Sequence, residues 1–156
     1  MDTFWSPEPI VGYRVWNVFR DRMQGFHSVW REPAFSAQCT LPDAETAAPH
    51  IVDGCECGVY AAKDPAWLKS HFAGAVAGPR VALGRVALSG RVVEHTDGFR
   101  AQEARVIAIA VRTRHGVTHF TVAADIEALF ADPHLALTER GATAPINTDL
   151  AELVAS

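Results

Sequence analysis

The sequence predicts an α+β fold, described as a curled, mostly antiparallel sheet or small β-barrel with one or two packed helices and a cysteine-rich loop. Residues 81–112 consist of two β-rich runs on either side of Asp97-Gly98, and this dipeptide is among the strongest short-range hairpin signals. A further run, residues 11–19, is rich in aromatic and β-branched residues. Segments with a helical pattern are few and short, so strands are expected to dominate.

Length and composition indicate one globular domain. The chain has 156 residues, 49% of them hydrophobic and 21% charged, which is enough for a real core. We expect residues 1–9 and about 140–156 to be loosely ordered. No apolar run approaches the length of a membrane span, and no basic segment precedes an apolar one at the N-terminus, so the expected location is cytoplasmic with no membrane partner. The net charge of −4 disfavours nonspecific binding to nucleic acid.

The elements before the central hairpin are short. Residues 11–19 are predicted to form a strand, and residues 23–30 to return as a second strand. Trp16 and Trp30 are expected in the core because their large rings favour burial. Residues 33–48 are predicted to be irregular, since their prolines break regular elements.

Two helices are predicted beside the sheet. After a short strand at residues 58–62, Asp64 and Pro65 form a helix start, with Asp as the N-cap and Pro at the first helical position. The first helix then runs to about residue 73. Beyond the hairpin, the pattern predicts one more strand and one more helix, at residues 117–122 and 125–131.

A two-residue turn at Asp97-Gly98 would determine which residues of the hairpin face each other. Leu88 would then face Ile107, so that apolar positions agree across the two arms. Arms of about 13 residues are roughly 40 Å long when straight, which is too long for a small domain. We therefore expect the hairpin to bend at Gly84 and Gly90.

The same register predicts a ligand site on the hairpin. It places Glu94, Glu103 and Arg105 on the face with the core residues, where charges must be paired, neutralised or open to a cavity. Gly90 opposite Arg105 would leave a space beside the guanidinium, where Arg105 holds an anion and a carboxylate transfers a proton. The alternatives are a structural Arg–Glu bridge, or a bulge that turns these residues outward.

All three cysteines lie in one proline-rich segment with a histidine between them, in the pattern C-x10-H-x4-C-x-C. Thiolates and imidazole are the ligands of tetrahedral zinc, and the metal would supply stability that such a loop lacks. His27 or His71 are alternatives for the fourth ligand. The competing interpretations are buried apolar cysteines or one disulfide, which a cytoplasmic setting disfavours. The predicted zinc ligands are Cys39, His50, Cys55 and Cys57.

The cysteine segment and the hairpin together resemble a known pattern. The sequence contains A-x-C, a histidine, C-x-C-G-V-Y-A at residues 55–61 and G-R-V-A-L-S-G-R-V-V-E-H at residues 84–95, with G-Y-R-V-W upstream. Over residues 12–110 this is similar to a family of small bacterial proteins of unknown function. The resemblance implies that the loop and hairpin form one unit, and it implies no activity.

Two classes of function stay open. The first is a noncatalytic, zinc-stabilised binding module for a protein, peptide or small-molecule ligand. The second is a small enzyme that uses either the Glu94/Glu103/Arg105 cleft or zinc held by three thiolates and a water. The sequence has no glycine-rich phosphate loop, G-x-S-x-G elbow or H-E-x-x-H motif. The binding module is favoured because four protein ligands would close the metal to substrate.

Overall fold

A computed structural model of the protein describes residues 2–26, 28–37, 57–71, 80–140 and 149–155. Within these residues, eight strands form one sheet in which every pairing is antiparallel, accompanied by four short helices. The α+β class is therefore confirmed. The strands are β1 (Asp2–Val18), β2 (Met23–Gln24), β3 (Val29–Trp30), β4 (Ala34–Ser36), β5 (Val59–Ala62), β6 (Val81–Glu94), β7 (Gly98–Thr113) and β8 (Gly116–Phe120). The helices are α1 (Pro65–His71), α2 (Ala123–Ala131), α3 (Pro133–Arg140) and α4 (Asp149–Ala155).

Four of the strands form a closed cycle of backbone pairings. Strand β1 pairs with β6, β6 with β7, β7 with β5, and β5 again with β1. The last of these pairings is short and is centred on Tyr13 opposite Ala62. This cyclic order of pairing brings β1 and β5 together beside the β6–β7 turn.

Strand β1 is longer than the sequence predicted. Residues 2–9, which were expected to be loosely ordered, belong to β1, and residues 2–6 pair with β6, beginning with Asp2 opposite Glu94. The register shifts between Ser6 and Ile10, in the segment that contains two prolines. An irregularity of this kind accommodates residues that cannot donate to the ladder, so the prolines interrupt the pairing without ending the strand.

Two of the helices, α1 and α3, begin with an aspartate that caps the first turn. The N–H of Ala66 donates to Asp64 Oδ1 at 2.9 Å, which confirms the predicted start of α1. The same Asp-Pro pattern begins α3, where the N–H of Leu135 donates to Asp132 Oδ1 at 3.1 Å. The pattern of the sequence predicted a helix at residues 125–131 and none directly after it, so α3 is an element that the sequence did not predict. None of the helices in the described residues is both long and apolar enough to cross a membrane.

The C-terminal segment contains a packed helix. Leu150 and Val154 of α4 are buried at 1% and 4% exposure, within an apolar cluster that also includes Leu68 of α1 and Leu83 of β6. Apolar contacts therefore connect α4 to the sheet. That residues about 140–156 are loosely ordered stays a prediction.

The larger core is built around Trp16. Its ring lies edge-on to the rings of Trp30 and Phe130, with centroid distances of 5.3 and 5.7 Å. Both tryptophans are fully buried, which confirms the prediction that they lie in the core. Gly84 makes room for the indole, because a Cβ there would lie 2.7 Å from Cζ3 of Trp16.

The hairpin exists, but the predicted register is wrong. Glu94 faces Phe99, and the N–H of His95 donates to the carbonyl of Gly98 at 2.8 Å, so the two residues of the turn are Thr96 and Asp97 instead of Asp97 and Gly98. Leu88 consequently faces Ala104 instead of Ile107. The predicted pairing is displaced by two residues next to the turn and by three at Leu88.

Two register shifts bend the hairpin, and they lie beside the glycines that were expected to bend it. One falls between Arg85 and Val86, next to Gly84. The other falls between Ser89 and Val92, where Gly90 has a φ of +79°. There the N–H of Arg91 donates to Gln102 Oε1 at 2.9 Å, so a side chain satisfies the backbone group that the bulge leaves without a ladder partner.

Replacing Gly90 by alanine is expected to lower the free energy of unfolding by about 2 kcal/mol. A left-handed conformation costs a residue with a Cβ about 1–2 kcal/mol, and this Cβ would lie 2.5 Å from Gln102 Oε1. Urea denaturation would measure the change. Arg91→Ala is the control, because Arg91 is exposed in the same bulge and keeps the N–H that bonds Gln102. Equal stability of both variants and the wild type would contradict this explanation of Gly90.

Candidate functional site

A pocket of about 550 Å³ opens between β1, the β2–β3 turn, β5, α1 and the β6–β7 turn. Its size is within the range of about 300–1,000 Å³ that is typical of small-molecule sites. Much of the described wall is aromatic, and the rings come from five separate parts of the chain: Tyr13, Phe26, Tyr60, Trp67 and Phe99. Aliphatic side chains, including those of Val15 and Leu68, contribute further apolar surface.

Local structure explains why Phe26 faces the pocket. The β2–β3 turn is closed by a hydrogen bond from the N–H of Gly25 to the carbonyl of Ser28 at 2.8 Å. This tight turn puts Phe26 at its tip, where the ring lines the pocket and remains 48% exposed. Phe26 is thus held at the mouth by backbone geometry and not by burial in the core.

Helix α1 contributes Trp67 to the wall. The indole is half-buried and stacks on His71, with ring centroids 4.0 Å apart and planes 24° apart. Leu68, the next residue, is buried and belongs to the smaller apolar cluster. Adjacent residues of one helical turn therefore serve two purposes, since Leu68 anchors the helix and Trp67 lines the pocket.

The β6–β7 turn forms the opposite rim and is tied to β5. The N–H of Lys63 donates to the carbonyl of Asp97 at 3.0 Å, and Lys63 Nζ lies 2.6 Å from Glu94 Oε2. Gly98 lies so close to β5 that a Cβ there would be 2.5 Å from the carbonyl oxygen of Ala61. These contacts hold the rim in place before any ligand binds.

Arg14 provides a guanidinium in the pocket wall. Its Nη1 donates to the carbonyl of Tyr60, and its Cζ lies 5.1 Å from the ring centroid of Trp30. Desolvation by burial lowers the pKa of Arg14 to about 10, so the side chain is still protonated at neutral pH. Among the residues that the structure describes, no carboxylate lies within 4 Å of this guanidinium, and its buried Nε has no hydrogen-bond partner.

The hairpin cluster predicted from the sequence is not assembled as expected. Glu94 is half-buried and paired with Lys63, whereas Glu103 and Arg105 are exposed. Gly90 lies across from Gln102, whose side chain occupies the space that was predicted beside Arg105. The predicted placement of Glu103 and Arg105 on the core face is therefore wrong.

The physical reason is a second irregularity in β7. Ile107 is 39% exposed while Ile109 is fully buried, because Ile107 is the extra residue at the register shift opposite Arg85 and Val86. Glu103 and Arg105 lie at alternate positions on the same outward face as the exposed Ile107. An outward orientation caused by a bulge is one of the alternatives given above. The ligand-binding role of the three charged residues stays a prediction.

Most of the predicted zinc ligands lie outside the described residues, namely Cys39, His50 and Cys55. Cys57 is half-buried, and its carbonyl accepts a hydrogen bond at 2.7 Å from Nη1 of Arg100, which is 2% exposed. No group of three or more potential metal ligands occurs within the described part of the chain. Because three of the four candidates are not in that part, the zinc site stays a prediction.

The sequence analysis did not identify the pocket. Its one available signal was Arg14, a lone charge inside the otherwise apolar and aromatic run of residues 11–19. A charge within a strand that is apolar on both faces must meet a partner, solvent or a ligand, so this position could have been selected as a candidate.

Comparison of the chain with protein-family models, with curated proteins and with solved structures finds no match in any of the three.

Proposed function

We propose that the protein is a noncatalytic binding module that holds a small, largely apolar molecule in the pocket. The observation that carries this proposal is the volume of about 550 Å³ walled by aromatic rings from five parts of the chain. Concave sites of this size with few polar groups are the usual form of small-molecule sites. Aromatic side chains supply a large apolar contact area with little conformational freedom to lose.

The contacts at the rim favour a pocket that is formed before the ligand binds over one that forms by induced fit. Because Lys63 links both the backbone and the side chain of the β6–β7 turn to β5, little ordering should be needed when a ligand enters. For a ligand of about 20 non-hydrogen atoms at about 0.3 kcal/mol per atom, the binding free energy is about 6 kcal/mol. That corresponds to a Kd on the order of tens of micromolar.

The enzymatic alternative has less support from the hairpin. Its cleft required Glu94, Glu103 and Arg105 around an open space, whereas Glu94 is paired with Lys63 and the other two are exposed. The other enzymatic alternative is a catalytic zinc ion held by three thiolates and a water. It requires that the cysteines of residues 39–57 bind the metal without a fourth protein ligand.

A structural zinc ion in residues 39–57 remains part of the proposal. Three cysteines and one histidine in this proline-rich segment supply a complete tetrahedral ligand set. Cys57 lies two residues before β5, which lines the pocket, and Arg100 holds its carbonyl. A metal bound to Cys57 would thus anchor the start of a pocket strand.

The binding function can be tested with N-phenyl-1-naphthylamine, an uncharged dye that fluoresces in apolar surroundings. We expect saturable binding of about one dye per chain, and Phe26→Ala should weaken it about tenfold. Removing a ring from the mouth takes away roughly 1.5 kcal/mol of apolar contact.

The matched control is Phe19→Ala. Phe19 is 43% exposed, close to the 48% of Phe26, but its ring lies against the guanidinium of Arg22 and is not part of the pocket wall. Dye binding by Phe19→Ala should equal that of the wild type. Absence of dye binding, or equal weakening by the two substitutions, would contradict the proposed function.

A further inference from the structure

We propose that Arg14 binds the anionic end of the ligand, so that the pocket selects small amphipathic molecules with an apolar body and one carboxylate. This inference rests on the proposed binding function and specifies the chemistry of its ligand. It assigns a role to the guanidinium, which the apolar wall alone does not explain.

The first argument is electrostatic. A charge that is removed from water is costly unless it is paired, and Arg14 is desolvated enough that its pKa falls to about 10. Within the described residues, its neighbours are a carbonyl and two aromatic rings, and no carboxylate offsets its charge. A ligand carboxylate would supply the counter-charge and would bind more strongly here than at an exposed arginine, because the surroundings are apolar.

The second argument is the supply of hydrogen-bond donors. Nη1 of Arg14 is used by the carbonyl of Tyr60, whereas the buried Nε has no acceptor among the described residues. The same holds for the indole N–H groups of Trp16 and Trp30, whose rings lie 5.8 and 5.1 Å from the guanidinium carbon. Arg14 Nη2 and Trp30 Nε1 are neighbours across Gly25, since each lies 3.3 Å from the position of a Cβ on that glycine. Arg14 belongs to the described pocket wall and the two buried tryptophans do not, so it is the unused donor of Arg14 that favours a ligand with several lone pairs.

The third argument concerns the number of charges. The remaining ionisable side chains in the described pocket wall are those of Tyr13, Tyr60, His95 and Asp97. Asp97 is exposed on the rim turn and lies beyond ion-pair distance of Arg14. One guanidinium neutralises one negative charge, so a monocarboxylate fits better than a phosphate dianion, which would leave a charge unpaired in apolar surroundings.

The test compares three molecules with the same eight-carbon chain as competitors of bound N-phenyl-1-naphthylamine: octanoate, 1-octanol and octyltrimethylammonium. We expect octanoate to displace the dye from the wild type at a concentration at least about tenfold lower than octanol. The cation should be the weakest competitor. If octanoate and octanol compete equally, the inference is overturned while the binding function, established by the dye alone, stands.

Arg14→Met then identifies the group responsible. Methionine keeps an unbranched apolar side chain and removes the charge, so the dye should still bind while octanoate loses its advantage over octanol. Arg114→Met removes an exposed arginine from the β7–β8 turn, which is not part of the pocket wall, and should preserve the wild-type preference. Retention of the octanoate preference in Arg14→Met would overturn the assignment to Arg14. If that variant does not fold, the comparison of octanoate with octanol on the wild type still decides whether the ligand is an anion.

Discussion

Trp16→Ala is expected to lower the free energy of unfolding by about 4 kcal/mol, which is a large part of the 5–15 kcal/mol that stabilises a typical domain. Trp16 has no exposed surface, and it joins β1 to Trp30 and Phe130 through edge-on ring contacts. Gly84 lies against its ring, so neighbouring strands have no side chain at that point that could fill the cavity. The melting temperature should fall by roughly 8–16 °C.

Trp67→Ala is the matched control for this substitution. Trp67 is only half-buried, and its main ring contact is with His71 at the end of a short helix. Its loss should cost about 1–2 kcal/mol, since solvent and the pocket already border the ring. Urea denaturation of both variants would decide the matter, and a larger loss for Trp67→Ala would show that the core is not organised around Trp16.

Removal of zinc is expected to have the other large effect. A structural zinc site contributes about 10–16 kcal/mol in isolated zinc-finger peptides, so even part of this would exceed most single contacts in a domain. Protein purified without chelator should contain about one zinc per chain by elemental analysis. Stripping the metal, or Cys57→Ser, should lower the melting temperature by about 10–20 °C.

The fourth zinc ligand can be identified with two histidine variants. His50→Ala should reduce the zinc content and the melting temperature, because His50 lies between the cysteines in the sequence. His71→Ala should change neither by much, since His71 is exposed and its Nδ1 lies 3.0 Å from the carbonyl of Trp67. Protein without metal, together with a Cys57→Ser variant that melts at the wild-type temperature, would refute the zinc proposal.

Local signals in the sequence were sufficient for much of the fold. The Asp64-Pro65 dipeptide predicted the start of α1, and the β-rich runs around Asp97-Gly98 predicted the pairing of β6 with β7. Trp16 and Trp30 were correctly assigned to the core. Each of these features depends on neighbours in the chain or on strong hydrophobicity, which a single sequence reveals.

The register failed because it depends on residues that look ordinary in sequence. The turn is closed by backbone groups of His95 and Gly98, and one bulge uses the side-chain amide of Gln102. Neither His95 nor Gln102 carries a distinctive turn or bulge signature. Ile107 is an extra residue in β7, and an extra residue changes which face its neighbours share, so Glu103 and Arg105 were assigned to the wrong environment.

The pocket was missed for a different reason. Its wall combines β1, a turn, β5, a helix and the hairpin end, and these are brought together only by long-range pairing. No local sequence pattern indicates that Phe26 and Phe99 line the same pocket. Arg14 was visible as an isolated charge, but its lack of a carboxylate partner is a property of the three-dimensional arrangement.

The closed cycle of pairings among β1, β6, β7 and β5 determines which strands can pair early during folding and which must pair late. Hairpin β6–β7 joins neighbours in sequence, whereas β1 must find β6 from the other end of the domain, with Asp2 opposite Glu94. Contacts between distant residues carry a high loop-closure entropy and slow the folding of a domain. On the ribosome, β1 is synthesised before β6 and then waits for roughly 80 more residues, about 4–16 s at 5–20 residues per second. During that interval the edge of β1 that later pairs with β6 has no partner in that strand, which exposes β1 to aggregation.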